Sequence, residues 1–176
     1  QATLEAGDEI VCGWPSFPSY VLDAAKVGAS ARKVPLRDHV YDLDGLLEAI
    51  GPRTKLVYVC HPNNPTGTAN GRAELLAFVD RLPEHVLVVL DQAYFEYIDD
   101  ADYLDGIAEL FKEGRRVAVL RTFSKIYGLA GLRVGYAVAP ADVVAATSKV
   151  RRAFDVTAPA EAGALASLDG SDELAR

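Results

Sequence analysis

Strand-length apolar runs alternate with helix-length amphipathic ones along this chain, and that alternation constrains the fold more than any other feature. "KLVYVCHP" (55–62) and "HVLVVLDQAY" (85–94) are almost continuously apolar. Strands without polar alternation are covered on both faces, as in parallel sheets whose crossovers are helices. Shorter runs at 9–14, 31–36, 116–124 and 133–140 predict four more strands. Between them, 20–29, 42–50, 71–82 and 103–114 have helical spacing; Asp42 is placed to cap the second and Gly114 to stop the last. Residues 141–154 and 158–168 predict helices towards the end. The expected fold is therefore α/β, a three-layer α-β-α arrangement around a mostly parallel sheet. A short glycine-rich turn before the last strand leaves room for one antiparallel member.

With 176 residues, half of them apolar, the chain can build one core of ordinary size. Its net charge of −7 argues against nucleic acid as a partner, because phosphate backbones are bound by basic faces. No apolar run reaches the ~20 residues that span a bilayer, so no membrane partner is expected. Cys12 and Cys60 have neither zinc nor redox spacing and read as buried thiols of a cytoplasmic protein. The opening "QATLEAGDEIVCGW" already runs into a strand, and the chain is expected to be a segment of a longer polypeptide.

In a parallel sheet, ligands gather at the carboxyl ends of the strands. Three polar clusters fall there: "HPNNPTG", "DQAY" and "TFSK". Nucleotide and hydrolase signatures are missing, since there is no GxGxxG after the first strand, no GxxxxGK[ST] and no GxSxG. His39, His61 and His85 lack metal-ligand spacing. Lys125, by contrast, stands beside Thr122 and Ser124, with Arg133 eight positions on. Two hydroxyls and a guanidinium suit a phosphate. A lysine next to a phosphate cradle points to a phosphorylated aldehyde, pyridoxal phosphate, bound through a Schiff base. That cofactor needs an acid to keep its ring nitrogen cationic, and Asp91, at the end of "VLVVL", is the candidate. Tyr94 and Asn64 can hydrogen-bond the ring oxygen, and Phe17 can stack on the ring. Each also has a plainer reading: Lys125 at the surface, Asp91 capping a turn, "NNPTG" as a turn, Phe17 in the core.

Taken in order, "PNNPTG", "DQAY", "TFSK" and "GLAGLRVGY" resemble the fold-type I pyridoxal-phosphate aminotransferases of class I/II. The resemblance covers essentially the whole chain and looks nearest to the histidinol-phosphate branch, whose members often read "RTFSKAYGLAGLRVGY". It implies that Lys125 is the Schiff-base lysine and moves the substrate proton, while Asp91 pairs with the pyridinium nitrogen. Asn64 and Tyr94 would bond the ring oxygen, Thr122, Ser124 and Arg133 would hold the phosphate, and Phe17 would stack. Lys125, Asp91 and Tyr94 form the implied catalytic set. The implied partners are a small amino donor and a keto acceptor, usually the glutamate/2-oxoglutarate pair, with a homodimer at full length. Residues 1–150 would be part of the cofactor-binding large domain, and 151–176 the helical start of a connection to a small domain.

Gln92 departs from the resemblance, because many relatives carry glutamate there ("DEAY"). The glycine-rich phosphate turn, the small-domain arginine and the partner-subunit tyrosine of such enzymes have no counterpart in these residues. The resemblance favours histidinol phosphate as substrate, with aromatic amino acids second. A non-catalytic cofactor-binding sensor domain of a regulator is the alternative outside enzymes.

Overall fold

The structure is a computed structural model and describes residues 2–169. Six strands form one sheet in the order β2-β1-β3-β4-β5-β6: β1 (Glu9–Trp14), β2 (Ser30–Pro35), β3 (Thr54–Cys60), β4 (Leu87–Asp91), β5 (Val117–Thr122) and β6 (Gly135–Val138). The first five are mutually parallel, and β6 closes one edge antiparallel to β5. The expected α/β architecture is the one observed. Gly135 is needed where β6 turns back, because a Cβ there would lie 2.8 Å from the Arg121 carbonyl oxygen.

The apolar runs supply the core. Val57, Val59, Val88, Leu90, Val117 and Val119 are buried in the central strands, and Leu46, Leu75 and Phe78 pack there from α2 (Leu43–Ala49) and α3 (Arg72–Asp80). Asp42 caps α2 by accepting a hydrogen bond from the Gly45 amide at 3.1 Å, as its position predicts. The parallel crossovers further include α1 (Ser19–Lys26) and a π-helical turn at Gly106–Phe111. α4 (Ala141–Val150) ends four residues before the sequence predicts: Arg151 turns extended, and Asp155 pairs with Arg151 and Arg152 in the loop instead.

α5 (Ala158–Asp169) matters most for function. Its Ala160 and Ala164 pack with Phe123 and Val134 in a second apolar cluster, against Tyr127, Leu129 and Leu132. This cluster anchors the segment that follows β5 and carries Lys125. The helical reading of 151–176 thus applies to 158–169; the remaining residues of that stretch are a loop at 151–157 or lie outside the described ones. Among the described residues no helix is long and apolar enough to cross a membrane.

Candidate active site

β4 runs through the middle of the sheet, and its last residue, Asp91, is in register with Cys60 of β3 and Leu120 of β5. The chain leaves all three strands at the same edge, so their polar tails converge. A cavity of about 400 Å3 opens there, within the usual range of roughly 300–1,000 Å3 for small-molecule sites. Phe17, Asn64, Asp91 and Tyr94, from the segments after β1 and β3 and from the end of β4 onward, line it together with Thr122, Ser124, Lys125 and Arg133, from the end of β5 and the segment after it. All eight residues singled out from the sequence border this one cavity.

The two groups differ in chemistry. In the first, Asp91 accepts hydrogen bonds from the Tyr20 hydroxyl at 2.5 Å and the Ala93 amide at 3.1 Å. Burial pushes its carboxyl above the ordinary range, offset in part by the Tyr20 bond, the Ala93 amide and the charge of Lys125. The Asn64 side-chain amide donates to the Tyr94 hydroxyl at 3.3 Å, which brings the tails of β3 and β4 together. In the second, the Ser124 amide donates to Thr122 Oγ1 at 3.1 Å and tightens the turn. Arg133 holds a left-handed backbone (φ 56°), rare for a residue with a side chain, and its guanidinium donates to the Ala130 carbonyl at 2.5 Å. Lys125 Nζ lies over the Tyr94 ring, 4.9 Å from its centroid.

The class I and II aminotransferase family model matches residues 1–176. The chain belongs to that family. The aminotransferase from Rhodococcus jostii named aromatic amino acid aminotransferase is 55% identical over 175 residues, which are 99% of this chain and 48% of that protein. The enzyme of the same name from Mycobacterium sp. (strain JLS) is 51% identical over 174 residues, 99% of this chain and 48% of that protein. Among solved structures, histidinol-phosphate aminotransferase from Sinorhizobium meliloti, in complex with pyridoxal-5'-phosphate, superposes with a TM-score of 0.89 at 37% identity, covering 97% of this chain and 46% of that one. This aminotransferase chain spans about half the length of the curated relatives it matches.

Several residues around the candidate site escaped sequence reasoning. Tyr20 is the main one; its only local signal is a place one helical turn after Phe17 in "PSFPSY". Ser16 and Asn63, each a direct neighbour of a cavity residue, bond to one another at 2.8 Å, and Ser16 also meets the Tyr41 hydroxyl at 2.6 Å. That buried cluster ties the loop bearing Phe17 to the loop bearing Asn64. Gln92, which departs from the resemblance, is not among the cavity's lining residues and is held in a buried hydrogen-bonded clamp.

Proposed function

We propose that this chain is the cofactor-binding part of a transaminase that acts on aromatic amino acids. Within it, residues 1–150 would be the pyridoxal-phosphate lobe and 151–176 the start of the connection to a small domain. The observation that carries the reading is the meeting of Lys125 and Asp91 across one cavity at the carboxyl edge of the sheet. The donor set fits pyridoxal phosphate. Among the described residues no basic side chain lies within 4.0 Å of the Asp91 carboxylate, so a half-buried acid at the central strand end is left to a cationic ring nitrogen. Thr122, Ser124 and Arg133 would hold the phosphate, Asn64 and Tyr94 the ring oxygen, and Phe17, 39% exposed at the rim, offers its face for stacking.

When bound, the cofactor supplies an electron sink for the negative charge that develops at the substrate α-carbon. The chain's own residues make that loss of a proton productive. Lys125 Nζ is the base that removes the α-proton, and afterwards it returns a proton as an acid. Asp91 would set its carboxylate against the ring nitrogen and favour the protonated ring, in surroundings where water screens charge less than in bulk. Phe17 would stack on the ring and Tyr94 would bond its oxygen, so both would help to fix how the bound cofactor sits against Lys125.

The aromatic reading rests on the names of relatives at 51–55% identity. Histidinol phosphate is the second reading, supported by the 37% identical structural neighbour. The test is a full-length protein mixed with pyridoxal phosphate. A visible absorbance band should appear and should be lost in Lys125→Ala. Phenylalanine or tyrosine, with 2-oxoglutarate as acceptor, should then be turned over faster than histidinol phosphate. The reverse order would establish the second reading, and a band without any amino transfer would point to a sensor domain.

A further inference from the structure

We propose that Tyr20 is a positioning residue for Asp91: its hydroxyl keeps the acid a weakly basic carboxylate, so that the proton of the ion pair stays on the cofactor ring nitrogen. This rests on the reading above and goes beyond the residues assigned there.

The geometry is specific. Tyr20 donates to Asp91 Oδ2 at 2.5 Å, while Oδ1 is taken by the Ala93 amide at 3.1 Å. The tyrosine ring has little freedom to leave: it stacks on Tyr58 at 4.4 Å with planes 17° apart, and Phe17 meets it edge-on at 5.6 Å. It is also buried, which limits competition from solvent for the hydroxyl.

The proton of this pair belongs to the phenol. Burial, and then the charge of Asp91, hold the Tyr20 hydroxyl far above its ordinary range, so it donates and the carboxylate accepts. Other groups near Asp91 cannot replace it. Cys60, from β3, is a neutral thiol pushed up to about 11 by burial, and Tyr58, on the same strand, is pushed up to about 12. Lys125, beyond β5, acts on Asp91 only through its charge. Without the hydroxyl, a desolvated carboxylate becomes more basic and draws the ring proton to itself, leaving a neutral ring and a weaker electron sink. Phe17 and Tyr20 flank the start of α1 at Pro18 and Ser19, so one helix end would set both the stacking face and the strength of the acid.

Tyr20→Phe keeps the stack on Tyr58 and removes only the donor. In the full-length protein it should weaken pyridoxal phosphate binding about tenfold or more, the usual scale for a hydrogen bond to a charged group. With ring-labelled cofactor, the 15N resonance should move from the pyridinium towards the neutral pyridine position. Both effects should vanish in an Asp91→Asn background, as a double-mutant cycle requires for a role exerted through Asp91. Should Tyr20→Phe misfold, 3-fluorotyrosine at position 20, a stronger donor of nearly the same shape, should tighten binding. Unchanged affinity and 15N shift in Tyr20→Phe, an equal loss with and without Asp91, or no effect of 3-fluorotyrosine would overturn the proposal while leaving the function standing. A wild-type protein that never binds the cofactor would overturn both.

Discussion

Gln92 follows Asp91 by one residue, and in an extended chain that single step turns its side chain to the opposite face of the sheet. There it is fully buried and uses every polar atom. Its Nε2 donates to the Leu104 carbonyl at 2.8 Å and to the Tyr103 hydroxyl at 3.1 Å, while its Oε1 accepts from the Gly106 amide at 3.2 Å and from Arg121 at 3.1 Å. Arg121 in turn pairs with Asp105 at 2.9 Å and lies 3.3 Å over the Phe95 ring. The amide thus clasps the tail of β4 to β5, the strand that leads to Lys125. Gln92→Leu would strand a carbonyl, an amide and part of a guanidinium. It should lower the unfolding free energy by about 2–4 kcal/mol in a urea titration. Gln92→Glu keeps the acceptor for Arg121 and Gly106 but turns an oxygen towards the Leu104 carbonyl, so its loss should be smaller. No local pattern reveals this role, because the partners stand 11 to 29 positions away in the chain.

Elements were legible where burial alone decides them. The run at 9–14 became β1 with those bounds, because a continuous apolar stretch between turn residues has one way to bury both faces. The stretch 103–114 was legible as helix but not as to kind. Its Lys112 amide reaches the Ile107 carbonyl and its Arg115 amide the Leu110 carbonyl, both at 3.0 Å and both five residues back, which makes the turn π-helical. Apolar spacing cannot distinguish that widened turn from an α-helix over so few residues. Gly106 begins it because the segment presses on the sheet: a Cβ there would lie 2.5 Å from Leu90 Cδ2 and 3.1 Å from Gln92 Oε1. Gly106→Ala should therefore cost roughly 1–3 kcal/mol through overpacking, read as a lowered melting temperature. Cofactor affinity should weaken along with it, since Gln92 would be displaced next to Asp91.

At the scale of the molecule, the cavity was legible because a parallel sheet delivers every strand tail to one edge; its support from α1 and from buried amides was not, because those contacts join residues distant in sequence. The same burial has a consequence for global stability. His61 directly follows β3 and is only 1% exposed, stacked on Tyr103 at 4.4 Å, with neither ring nitrogen hydrogen-bonded. Burial pushes its pKa down to about 4 from an ordinary 6.5. Between those values the unfolded chain takes up a proton that the folded chain refuses, so stability is complete above about 6.5 and falls as the pH drops towards 4. Carboxylates titrate in the same window, and a comparison isolates the histidine. His61→Phe retains a ring to stack on Tyr103 and forfeits no hydrogen bond, but it cannot titrate. Urea unfolding of the two proteins at about pH 7 and about pH 5 should show the wild type losing about 2 kcal/mol more than His61→Phe over that interval. Parallel losses would mean that the imidazole is already protonated, or hydrated, inside the fold.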